Sequence, residues 1–213
     1  MEGNTLMSRM NTLLIWITRL AYLNGLWLLF SLLGIVIIGF FPATVAMMTV
    51  CRKWLNGEED FSIFKTFHVT YKTVLLHSNL IGWILVSVGA ILYVDYLILA
   101  ANIGKFSIVS ISAFYLFLFF YLVTASHAFP LFIRYQGSVL TCIKNAFITG
   151  LLNIHFSIAI IISQSAFFYL MFSYPSTALF FLGSILSMIQ IWLTDRSFLK
   201  IEKKVNKVII AKS

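Results

Sequence analysis

Charge is scarce in this chain: charged residues make up 10% of its 213, and only 7 are acidic. Soluble domains carry about 25% charged residues, so a water-facing globule is excluded. Cysteine is nearly absent. Cys51 and Cys142 are too few and too isolated for a disulfide framework or a metal knuckle, and they read as small buried hydrophobes. No glycine-rich phosphate loop, Ser/His/Asp set or paired carboxylates stand out. The four histidines form no metal set. His68 and His77 are nine apart, which puts them on opposite faces of one helix, and His127 and His155 fall on different helices. Catalytic, cofactor and metal roles are left without candidate residues, and the chain reads as non-enzymatic.

What is present is apolar length. Hydrophobic residues make up 61% of the chain. Six stretches, at about 12–33, 35–55, 74–100, 107–133, 146–172 and 176–195, carry most of them. A helix needs about 20 residues to cross a bilayer core of about 30 Å. The predicted fold is therefore all-α: a polytopic transmembrane bundle forming one integral membrane domain over 1–213. The first stretch runs from Leu13 almost to Val50 without a small-residue cleavage site, so it is expected to be retained rather than cleaved as a signal.

The break within that run has two readings. In one, a helix ends near Leu33, the chain turns through Gly34–Phe41, and a shorter helix from Pro42 returns to Trp54. That gives six crossings. In the other, 12–55 is one kinked crossing, which gives five and puts Arg9 outside. Loop charges favour six. Arg52, Lys53, Lys65 and Lys72 fill the 51–73 connection, Arg134 and Lys144 bracket 134–145, and six cations fill the tail from Arg196. The other connections hold almost none. By the positive-inside rule both termini are cytoplasmic and the protein sits in the cell membrane.

Two segments read as interfacial. Phe61, Phe64, Phe67 and Tyr71 share one face of a short helix capped by Asp60 or Ser62, unless this is simply the start of the 74–100 helix. The tail at about 196–213 is basic and amphipathic, with Lys200, Lys203, Lys204 and Lys207 off its apolar face. These lysines are expected at anionic lipid headgroups. The net charge of +8 is assigned to topology and lipid, not to nucleic acid.

Polar groups within the spans are few. Arg19 either snorkels or pairs with Asp195, and Asp95, near the outer end of its helix, is read first as solvated at the interface and otherwise as a partner of Lys105 across the outer turn. Asn24, Gln164 and Gln190 are read first as packing amides between helices, and equally as the lining of a polar cavity. Glu58, Glu59 and Asp60 stand together at a turn on a cationic face, which makes them candidates for a partner contact.

Two sets of residues resemble the YesL-type family, bacterial membrane proteins of unknown function. The first holds Asn24, Trp27, Pro42-Ala43-Thr44-Val45-Ala46-Met47, Arg52-Lys53-Trp54, Gly57-Glu58-Glu59-Asp60 and Phe64-Lys65-Thr66-Phe67. The second holds Phe129-Pro130-Leu131, Arg134-Tyr135 and Lys144-Asn145-Ala146. The resemblance implies an acidic or polar residue after the Arg-Phe/Tyr pair. Here Gln136-Gly137 follows, which argues against a fixed ionic contact in the 134–145 loop. The resemblance implies a multi-pass protein of a Gram-positive bacterium, encoded near sugar-uptake and carbohydrate-breakdown genes. It implies an accessory or permease-like part in carbohydrate uptake, with a sugar-transporter subunit as partner. The alternative is a membrane scaffold or regulator that translocates nothing.

Overall fold

A computed structural model describes residues 2–102, 104–135, 137–174, 181 and 183–210; for 2–6, 171 and 203–210 the backbone alone is described. Seven helices are described and, among these residues, no strand. They are α1 (Glu2–Leu33), α2 (Phe40–Leu55), α3 (Ile63–Ala101), α4 (Ile108–Tyr135), α5 (Val139–Leu152), α6 (Ile154–Ser173) and α7 (Gly183–Ile210). Large apolar side chains cover their outer faces: Leu33, Ile108 and Phe117 are each about two-thirds exposed or more. Such a surface suits hydrocarbon, not water. The protein is an all-helical membrane protein.

Three segments are long and apolar enough to cross a bilayer: Met7–Leu33, Ile63–Ala101 and Ile108–Tyr135. A fourth exists if Val139–Leu152 and Ile154–Leu170 count as one span, although they meet at 104°. The apolar run at 146–172 is thus not the straight helix its composition suggests. Asn153 interrupts it, because the Asn153 amide leaves the helix to donate to the carbonyl and hydroxyl oxygens of Ser197, at 2.9 and 3.0 Å. At 16 residues, α2 is shorter than the roughly 20 a full crossing takes.

The chain divides into two compact units. Unit 1 holds Met1–Leu75 and Ser163–Ile191; unit 2 holds Leu76–Ile162 and Trp192–Ser213.

In unit 1 the local signals of the sequence act as expected. α1 stops at Leu33, and a turn with Ile35 and Val36 in left-handed backbone (φ 55° and 56°) leads into α2. Two β-branched residues there cost about 1–2 kcal/mol each. The turn closes because Gly34 and Gly39 touch; a Cβ on Gly34 would lie 2.3 Å from the Gly39 Cα. Pro42 sits in the first turn of α2, where its missing N–H leaves no bond unmade. The helices run antiparallel: Trp16 meets Trp54 edge-on at 5.6 Å, and the Trp27 indole donates to the Thr44 hydroxyl at 3.0 Å. The single kinked helix over 12–55 does not occur. Leu23, Phe30, Met47, Val50 and Phe67 form the core. The aromatic segment at 61–71 begins α3 itself and is no separate helix, with Ser62 as the cap accepting from the Lys65 N–H at 3.3 Å. The tail likewise continues α7 without a break to Ile210.

In unit 2, α4 and α5 pack closely. A Cβ on Gly150 would lie 2.3 Å from Val123, so only glycine permits this approach. The buried Cys142 thiol donates to the Ala128 carbonyl at 3.3 Å. Both cysteines are free and buried.

Candidate functional site

The acidic turn is held from within. Asn56-Gly57 ends α2, with Gly57 at φ 83°, and delivers Glu58 beside the Lys53 ammonium at 2.6 Å. Glu59 accepts from the Arg19 guanidinium at 2.8 Å. Arg19 therefore pairs with Glu59 and not with Asp195, because the antiparallel hairpin lays α1 along the 56–62 turn. Two of the three carboxylates are already neutralised. Asp60 is exposed and makes no ion pair among the described residues.

The intramembrane amides separate into different roles. Asn24 is fully buried, and its side-chain oxygen accepts from the N–H groups of Gly183 and Ser184 at 3.0 and 3.3 Å. These are the first groups of α7, which lack partners within their own helix. Asn24 thus caps a helix that starts in an apolar setting, where unpaired backbone is costly. Gly183 packs closely beside it: a Cβ would sit 2.9 Å from the Asn24 oxygen and 3.0 Å from the Met47 methyl, so both side chains would have to give way. Gln190 is buried and Gln164 half-buried. None of the three lines any of the three cavities described below.

In unit 2 the arginine at the end of α4 gathers a cluster that sequence spacing did not suggest. Arg134 binds Asp195 at 3.3 Å and Glu202 at 3.8 Å, and lies over the Phe198 ring at 4.5 Å. The departure at Gln136-Gly137 does not deprive Arg134 of a fixed contact; that contact comes from α7. Asp195 and Glu202 are seven apart, and so share one helix face, which is the signal for them in the sequence. With its side chain and that of Asp195 about three-quarters buried, loss of the pair has a measurable cost. Arg134→Met is expected to destabilise the protein by about 1–2 kcal/mol. Asp195→Asn added to it should cost little more. Unfolding by sodium dodecyl sulfate in mixed micelles measures this, and fully additive losses would contradict the coupling.

Lys200 turns toward its own protein. Its ammonium lies 3.3 Å from the His155 ring nitrogen and over Phe156 at 5.9 Å. The side chains of Lys203, Lys204 and Lys207 lie outside the described residues. Lys105 donates to Asn102 at 3.3 Å and does not meet Asp95. His127 is fully buried beside Ser126 and the Val123 carbonyl. Among the described residues no three His, Cys, Asp or Glu come together as a metal set.

A groove of about 580 Å³ lies between α3 and α4, walled mainly by Leu, Ile, Val and Phe. Asp95 is the one charged residue on its lining. Its size falls within the roughly 300–1,000 Å³ of small-molecule sites. Smaller spaces lie against Tyr96 and Tyr115 in unit 2 and against Leu14 and Tyr22 in unit 1.

Comparison with known proteins places these features in a family. Residues 20–96 match the family described as Protein of unknown function, DUF624. They take in the α1–α2 hairpin, the acidic turn and most of α3. Three relatives from Bacillus subtilis (strain 168) align over nearly their full length. The uncharacterized protein YteU is 29% identical over 95% of this chain and 91% of its own. YesV is 32% identical over 87% and 89%, and YesL 31% identical over 90% and 90%. No solved structure matches the chain at a significant level. With YesV and YesL at 32% and 31% identity across about nine-tenths of each length, the chain belongs to the YesL-type DUF624 family of membrane proteins of unknown function.

Proposed function

We propose that this protein is a non-enzymatic accessory subunit of carbohydrate uptake, which binds a sugar-transporter subunit in the cell membrane and passes no solute itself. The observation that carries the non-conducting part is Asn24. The most deeply buried amide in the spans is committed to a helix terminus, where a solute path would need it facing a cavity. The α3–α4 groove agrees, being apolar and unsuited to a sugar's hydroxyls. The link to carbohydrate rests on the family resemblance. The partner surface we favour is the turn at 56–62, where Asp60 is uncommitted and Glu58 and Glu59 are about half exposed. Proteoliposomes holding the purified chain should show no uptake of labelled mono- or oligosaccharides beyond that of empty vesicles. Sugar flux through the chain alone would overturn the reading.

The topology that fits this role has six passages and both termini cytoplasmic, with α2 as a short return and α5–α6 as one bent passage. The cations at 51–73, 134–145 and the tail support it. Reporter fusions after Asn4 and at Ser213 should both report the cytoplasm. An external N-terminus would leave five passages.

A further inference from the structure

The groove between α3 and α4 contains an ionisable group that the rest of the fold does not use. Asp95 is exposed and, among the described residues, makes no hydrogen bond or ion pair. The other polar side chains on the groove wall are engaged. Tyr121 donates to the Leu85 carbonyl at 3.1 Å, Thr124 to the Phe120 carbonyl at 2.8 Å, and Ser110 meets Ser107 at 3.1 Å. Tyr121 is fixed by close packing as well, since a Cβ on Gly89 would lie 2.6 Å from its oxygen. The groove is therefore rigidly built, apolar along its length, and charged at one place only.

The charge stands toward one end. Asp95 lies six residues before the end of α3 at Ala101, and Ile84 marks the far end of the lining on that helix. Eleven residues of helix separate Ile84 from Asp95, about 16 Å at 1.5 Å per residue. That is the length of a medium acyl chain. An unpaired carboxylate within reach of hydrocarbon is unfavourable and seeks a cation. Lys105, the nearest cation in sequence, is bound to Asn102.

We propose that the α3–α4 groove binds a membrane lipid with an amine headgroup, its acyl chain along the apolar wall and its ammonium on Asp95. The charge complementarity and the position of Asp95 near the helix end single out this occupant: the chain lies in the membrane and the headgroup near its surface. The site does not depend on the accessory role, which concerns the 56–62 turn.

The test uses the full chain in a nonionic detergent. It is titrated with a phosphatidylethanolamine and with a phosphatidylglycerol of the same acyl chains, and bound lipid is counted by native mass spectrometry. We expect about a fivefold preference for the amine lipid, the ratio one interfacial charge contact supplies. Asp95→Asn should remove the preference and keep the remaining acyl-driven binding. Leu92→Trp, which fills the groove, should lower binding of both lipids. Equal binding of the two lipids by the unmodified chain would overturn the proposal, as would a preference that survives Asp95→Asn. Assembly of the chain with a second copy through this groove, with neither lipid bound, would overturn it too.

Discussion

Gly34→Ala is expected to lose about 3 kcal/mol of stability, at the upper end of what overpacking costs. The added Cβ would stand 2.3 Å from the Gly39 Cα and 2.5 Å from its nitrogen, with the Tyr71 hydroxyl at 2.9 Å. Backbone atoms cannot swing aside as a flexible side chain can. Relief requires α1 and α2 to separate, which breaks the Trp27–Thr44 bond and the Trp16–Trp54 contact. Gly25→Ala is the control. It lies in the same helix with nothing within 4 Å of its Cβ, and it should be neutral or stabilising by about 0.5–1 kcal/mol. Unfolding in mixed micelles compares the two. Equal effects would mean that the hairpin turn is not the tight contact described.

The second large effect is expected at Asn24. Asn24→Leu keeps the volume and removes the acceptor, leaving the Gly183 and Ser184 N–H groups buried without it. Each unmade bond costs about 1–3 kcal/mol, so a total loss of about 2–6 kcal/mol is expected. Asn24→Asp keeps an acceptor at a helix N-terminus, where negative charge is favoured, and should recover part of the loss. Thermal unfolding in detergent measures both variants. An Asn24→Leu variant as stable as the parent would show that Asn24 is not the cap of α7.

What could be read along the sequence was whatever local chemistry determines. Gly34 and Pro42 mark the end of α1 and the start of α2 because glycine contact and proline geometry act within a few residues. Apolar runs announce helices because backbone in hydrocarbon must pair with itself. The partners of the charges were less legible. Arg19 finds Glu59 forty residues away, and Arg134 finds Asp195 sixty-one residues away. Those distances close only when helices pack, and the sequence offered Asp195, not Glu59, as the partner for Arg19. The bend at Asn153 was hidden for the same reason. No glycine or proline stands there, and the amide breaks the helix because Ser197, on another helix, offers it acceptors. Asn24 was visible as a buried amide. Its role was not, since the N–H groups it serves belong to residues 159 and 160 positions on.

We propose that this protein works through a partner in the membrane. Affinity purification after cross-linking in native membranes tests it most directly, with the parent chain and Asp60→Lys side by side. A sugar-transporter permease or its ATPase is expected to co-purify with the parent chain. Asp60→Lys is expected to reduce that recovery without lowering the amount of the variant in the membrane. Recovery of the chain with no transporter subunit would contradict a role as an accessory subunit of sugar uptake.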